Sequence, residues 1–120
     1  MNARQKLKWE LIGDISRRIL LDGKTYLCEG QGFERHDCLG GAEMHEVFVT
    51  RETIKKMPGR KRLYFWHRVN CSLLCSWFHQ KRATSKSFQR WWRVRVEGLY
   101  GPLAVQRWFD EAPLKVHYEG

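Results

Sequence analysis

The chain is 120 residues long, 42% hydrophobic and 29% charged, with a formal net charge of +9. That length holds a single domain, 1–120, with a modest core. No apolar run reaches the roughly 18 residues of a membrane span and no apolar segment follows the basic start, so the expectation is a soluble, cytoplasmic protein with no membrane partner.

In chain order, residues 2–21 read as a helix, because Leu7, Leu11, Ile15 and Ile19 recur every four positions. Gly13 weakens its middle, and Asp22-Gly23 stops it as a turn. Tyr26 to Gly41 is irregular and holds Cys28 and Cys38. Met44 to Val49 reads as a strand, and Leu63 to Val69, after the Met57-Pro58-Gly59 turn, as an aromatic-rich second strand. Residues 71–97 lack Gly and Pro and read as mainly helical. Residues 98–112 read as a last helix with Gly101-Pro102 at its start, Leu103, Val105, Trp108 and Phe109 on its buried side, and Pro113 at its end. Phe88, Trp91 and Trp92 read as core, with Trp9, Trp77 and Trp108 completing it. The four cysteines read as thiols or metal ligands rather than a disulfide frame.

The basic excess is local. Residues 53–96 carry twelve Lys/Arg and no acid, whereas 1–52 carry eight Lys/Arg against nine acids. Such a block is the electrostatic footprint of a polyanion partner, since each neutralised phosphate releases counterions. Arg51, Lys55, Lys56, Arg60, Lys61 and Arg62 flank the Pro58-Gly59 turn, and Arg82, Lys86 and Arg90 follow along the helical stretch. These are the candidate DNA contacts.

The stretch Asn70-Cys71-Ser72-Leu73-Leu74-Cys75-Ser76-Trp77-Phe78-His79 follows Met44-His45-Glu46-Val47. A His on an apolar strand, an Asn some 25 residues later and a His nine residues after that resemble the motif of the HNH (His-Me finger, ββα-metal) endonucleases. Family members commonly read Asn, four residues, Cys, two residues, Cys, His, and here Phe78 stands for the second Cys. Asp22-Gly23, Thr50-Arg51 and the tail from Tyr100-Gly101-Pro102 through Trp108-Phe109 to Pro113-Leu114-Lys115 look similar to phage-type members. The resemblance spans residues 15–116.

The resemblance implies an α+β fold. Its ββα-metal finger would occupy about residues 42–97, between an N-terminal helix (2–21) and a C-terminal helical extension (98–112). It implies a divalent-metal-dependent DNA endonuclease or nickase, encoded by a bacteriophage or prophage. Mg²⁺ or Mn²⁺ would suit the mixed site, and Ni²⁺ or Zn²⁺ also accept imidazole. His45, Glu46 and Asn70 are the implied catalytic residues, with His45 and His79 as metal ligands and Asn70 orienting the imidazole. Two registers stay open: His45 as base beside Met44, or His45 as ligand with Glu46 as base.

The chain also departs from the family. The Cys-x-x-Cys pairs of many relatives would fall at Cys28/Gln31 and Cys75/Phe78, each without its second Cys. Cys28 and Cys75 remain as residual zinc ligands. His36, Cys38 and Cys71 are further donors at no recognisable zinc spacing, so apolar packing around Phe78 is expected instead of a structural zinc. Ala83 occupies a position where relatives often place another ligand. The competing readings are a catalytically inactive HNH-like module that binds DNA or a phage or host protein, and a basic RNA-binding protein.

Overall fold

The computed structural model describes residues 2–21 and 28–116, so the expected turn at Asp22-Gly23 lies outside the described residues. Helix α1 covers Ala3–Leu21. Asn2 caps it, its side chain accepting from the Gln5 amide at 2.9 Å while the Gln5 side chain accepts from the Asn2 amide at 3.2 Å. Leu11 and Ile15 are its buried stripe, and the helix runs unbroken through Gly13.

Strands β1 (Ala42–Glu46) and β2 (Cys71–Cys75) form a two-stranded antiparallel sheet, with His45 opposite Ser72 and Met44 opposite Leu73. The second strand therefore lies later than the sequence suggests. Leu63 to Val69 is not a strand. It begins inside helix α3 (Gly59–Tyr64), which follows the short α2 (Arg51–Lys55), and continues as turns into Asn70. Cys71–Cys75 reads as helix because it has no β-branched residue and no polar alternation. Cys71, Ser72, Leu74 and Cys75 are all buried, and a strand covered on both faces loses the period-two signal.

The single helix expected over 71–97 is two helices beyond β2. These are α4 (Ser76–Lys81) and α5 (Lys86–Tyr100). Ser85 starts α5 by accepting from the Phe88 amide at 3.1 Å. Helix α6 (Pro102–Glu111) follows Gly101, whose φ of +93° turns the chain between them, and Pro102 opens it. Two packing assignments are corrected. Trp9 is 63% and Leu103 83% exposed, because no element among the described residues covers the side of α1 or α6 that carries them.

Phe65, Leu74, Phe78, Phe88, Trp92, Val96 and Val105 make the fully buried core. Beside it lies a charged knot. Arg18, 1% exposed, meets Glu29 through two hydrogen bonds of 2.7 and 3.0 Å, and Arg95 reaches the same carboxylate at 3.0 Å. Glu29 also accepts from the Leu73 amide at 3.0 Å, so this knot ties α1 and α5 to β2. The result is an α+β domain whose small sheet is flanked by N- and C-terminal helices, an arrangement compatible in general with a ββα finger. No described helix is long and apolar enough to cross a membrane.

Candidate functional site

Two clusters of candidate functional side chains lie beside the sheet. The first gathers Cys28, His36, Cys38 and Cys75, whose donor atoms all lie within 4.8 Å of one another. Cys28 precedes a 3₁₀ turn, Glu29–Gly32. His36 and Cys38 sit on the loop that follows, and Cys75 ends β2. Nε2 of His36 lies 3.5 Å from the sulfurs of Cys28 and Cys75 and 3.7 Å from that of Cys38. An ion holding sulfur at about 2.3 Å and nitrogen at about 2.0 Å in a tetrahedron sets the same edges at about 3.5 Å.

The surroundings of the cluster suit ligation. His36 Nδ1 is 2.7 Å from the Glu34 carbonyl and donates to it, which leaves Nε2 with its lone pair toward the sulfurs. Cys28 and Cys75 accept backbone N–H bonds from Cys75 and Phe78 at 3.2 and 3.4 Å. Burial pushes the Cys28 thiol up to about 12. Burial opposes ionisation at Cys75 too, but the Phe78 and Leu39 amides and the His36 side chain outweigh it and bring this thiol to about 7. The cluster is able to coordinate a divalent metal ion. The two residual ligands expected from the sequence thus gain His36 and Cys38, and the expectation that packing alone replaces the metal needs revision. Cys71 is not in this group, and burial pushes it to about 12.

The second cluster is a histidine pair. His45 on β1 and His79 on α4 face one another with ring centroids 4.9 Å apart. His79 Nδ1 meets the Glu43 carboxylate at 3.0 Å, and this bond holds Glu43 below the ordinary carboxylate range. Residues two apart on a strand share a face, so Glu43 and His45 point the same way and Glu46 points the other. Glu46 lines a cleft on the opposite side of the sheet together with Met44. The structure therefore joins His45 to His79 and Glu43, and not to Glu46.

His45 is 7% exposed, and its Nε2 has no hydrogen-bond partner among the described residues. Across the ladder, the Ser72 hydroxyl is likewise buried and unpartnered. Burial, with His79 adding to it and the Ala83 backbone pulling the other way, brings His45 down to about 4, so its ring is neutral at pH 7. Asn70, fully buried, accepts from the Phe48 and Val49 amides at 2.9 and 3.1 Å and donates to the Phe65 carbonyl at 3.2 Å. Those bonds fix the turn that leaves β1.

The basic residues fall in two places. Arg51, Lys55, Lys56, Arg60, Lys61 and Arg62 are exposed on and between α2 and α3, where Arg62 donates to the Met57 and Lys55 carbonyls. Arg82, Lys86 and Arg90 are exposed beyond His79, where Arg82 pairs with Glu34 at 3.3 Å. Of these residues Glu43 was not singled out by its sequence context, whereas His36 and Cys38 stood among the further donors. For Glu43 the signal was available, since Glu-x-His on a strand places both side chains on one face.

No protein family, curated protein or solved structure matches this chain.

Proposed function

We propose that this chain is a divalent-metal-dependent DNA endonuclease or nickase of HNH type, built on a Cys28/His36/Cys38/Cys75 zinc site that is structural. Three thiols and one imidazole are a donor set typical of structural zinc, and they leave no ligand position for chemistry. The catalytic role falls instead to the histidine pair. The observation that carries the reading is the 4.9 Å approach of His45 on the first strand to His79 on the following helix, with Glu43 on the far nitrogen of His79.

In this reading Glu43 orients His79 so that its Nε2 would hold a divalent ion. The ion, when bound, supplies electrostatic stabilisation of charge developing on the phosphate. His45, brought down to about 4 by burial, carries an Nε2 with no hydrogen-bond partner among the described residues, and it takes a proton from an attacking water once the cover over it opens. Asn70 acts at one remove, by holding the end of β1 in place. The basic surface beyond His79, formed by Arg82, Lys86 and Arg90, positions the DNA backbone without reading sequence.

Plasmid nicking with Mg²⁺ or Mn²⁺ tests this. His45→Ala and His79→Ala should each lower the rate by about 10²–10⁴-fold, the usual worth of a general base or a charge-stabilising group. Absence of nicking under either metal, with DNA binding kept, would overturn the assignment. That result would support the second reading, a catalytically inactive HNH-like module. The deep burial of His45 favours that alternative, because its Nε2 is covered in this conformation.

A further inference from the structure

On the sheet face opposite His45, a cleft of about 890 Å³ opens between α1 and the α2–α3 segment. This volume is within the ordinary range for a small-molecule site. Arg4 and Lys8 stand on one wall and Arg51, Lys55, Arg60 and Arg62 on the other. Leu11, Met44, Ile54, Leu63 and Trp66 supply apolar lining, and Glu46 is the one acid among the lining residues.

We propose that this cleft binds a phosphorylated nucleoside. Its chemistry is divided as such a ligand is divided. The cations need an anion, and Lys8, Arg51 and Arg60 have no carboxylate partner among the described residues. Beside them Trp66, half-buried, carries the Arg4 guanidinium 5.2 Å from its ring. A partly exposed indole with a mobile guanidinium over it can take a flat base between or in place of the pair. Glu46 offers an acceptor to an exocyclic amine of that base.

A duplex fits this place poorly. It presents rows of phosphates on a convex surface, and the apolar lining of a concave cleft gives them no partner. Bare phosphate would satisfy the cations and leave the lining unused. The cleft lies on the other side of the sheet from the histidine pair, so the proposal does not depend on the nuclease reading.

Calorimetric titration of the full chain at low salt tests it, with ATP, CTP, inorganic tripolyphosphate and a 5′-phosphorylated single-stranded decamer as probes. ATP or CTP should bind at least about tenfold more tightly than tripolyphosphate, the margin that stacking on an aromatic supplies. Lys8→Glu on α1 and Arg60→Glu on α3, both at exposed positions, should each weaken binding about tenfold with an unchanged melting temperature. His45→Ala should bind the nucleotide as the parent does. Binding of the decamer but of no free nucleotide, lost in Lys8→Glu and Arg60→Glu, would support the site with a strand end as its source. Equal binding of tripolyphosphate and ATP, full binding by both charge-reversed chains, or no binding of any probe would overturn the proposal.

Discussion

Phe78 stacks on His36, with ring centroids 4.7 Å apart and planes 29° from parallel. Phe78 occupies one of the two places where the family resemblance calls for a cysteine, and Gln31 occupies the other. Gln31 donates to the His36 carbonyl at 2.6 Å and to the Cys38 sulfur at 3.2 Å, and accepts from the His36 amide at 3.1 Å. Each substituted position therefore holds a replacement donor in place. Gly30 makes room for this, since a Cβ there would lie 2.7 Å from the Phe78 ring.

The purified protein should then carry about one zinc per chain, the stoichiometry of a closed four-ligand site. Elemental analysis checks this. His36→Ala and Cys38→Ser should lose the metal, and Cys71→Ser, outside the cluster, should keep it. A strong chelator should lower the melting temperature of the parent by several degrees, because metal binding free energy is folding free energy. Zinc retained in full by both ligand variants would refute the assignment.

Asn70 gives a second prediction. Asn70→Ala would strip the acceptor from two buried amides, Phe48 and Val49, and a donor from the Phe65 carbonyl. Each orphaned group costs about 1–3 kcal/mol, so the three together should cost at least about 3 kcal/mol in denaturant unfolding. A near-neutral substitution would mean that these bonds carry little of the fold.

The histidine order and the strand–strand–helix outline were legible, because they depend on a contiguous motif and on short-range pattern. The position of β2 was not. Its side chains are covered on both sides, so hydrophobicity alone could not separate Cys71–Cys75 from a helix start. That His36 and Cys38, rather than Cys71, join the cluster was hidden for a different reason. They reach Cys28 and Cys75 through a loop and a strand end, and only tertiary structure makes their spacing intelligible. Arg18 was hidden too, since a basic residue within a helix pattern reads as exposed until its partner Glu29 is placed.

That pair supports a third prediction. Glu29 holds Arg18 and Arg95 together, and both Arg18 and Glu29 have side chains only 1% exposed. Glu29→Gln keeps the shape but leaves a buried guanidinium without its countercharge. Removing one partner of such a pair costs about 3–5 kcal/mol. The loss should exceed that of Asp14→Asn by a wide margin in urea titrations, because the Asp14 contact with Arg17 is largely exposed. Equal losses would show that the knot is not energetically special.

His67 carries a fourth prediction, on the pH dependence of stability. It is half-buried against Trp108, with centroids 6.2 Å apart, and its Nδ1 accepts from the Val69 amide at 3.1 Å. Burial first, and then the neighbouring Arg68 charge, bring it down to about 4, while Asp14 opposes the shift. In the unfolded chain an ordinary histidine titrates near 6.5. Between those values the unfolded chain binds the proton more readily, so stability rises with pH across the window and is lost as pH falls through it. His45, also at about 4, adds in the same direction. Urea midpoints measured from about pH 4.5 to 7 should climb, and His67→Gln should flatten the climb by roughly 1–3 kcal/mol, the scale of a shift of that size. The His67 ring resonances should titrate near pH 4, and a midpoint near 6.5 would show that the ring is solvated and takes no part in the acid instability.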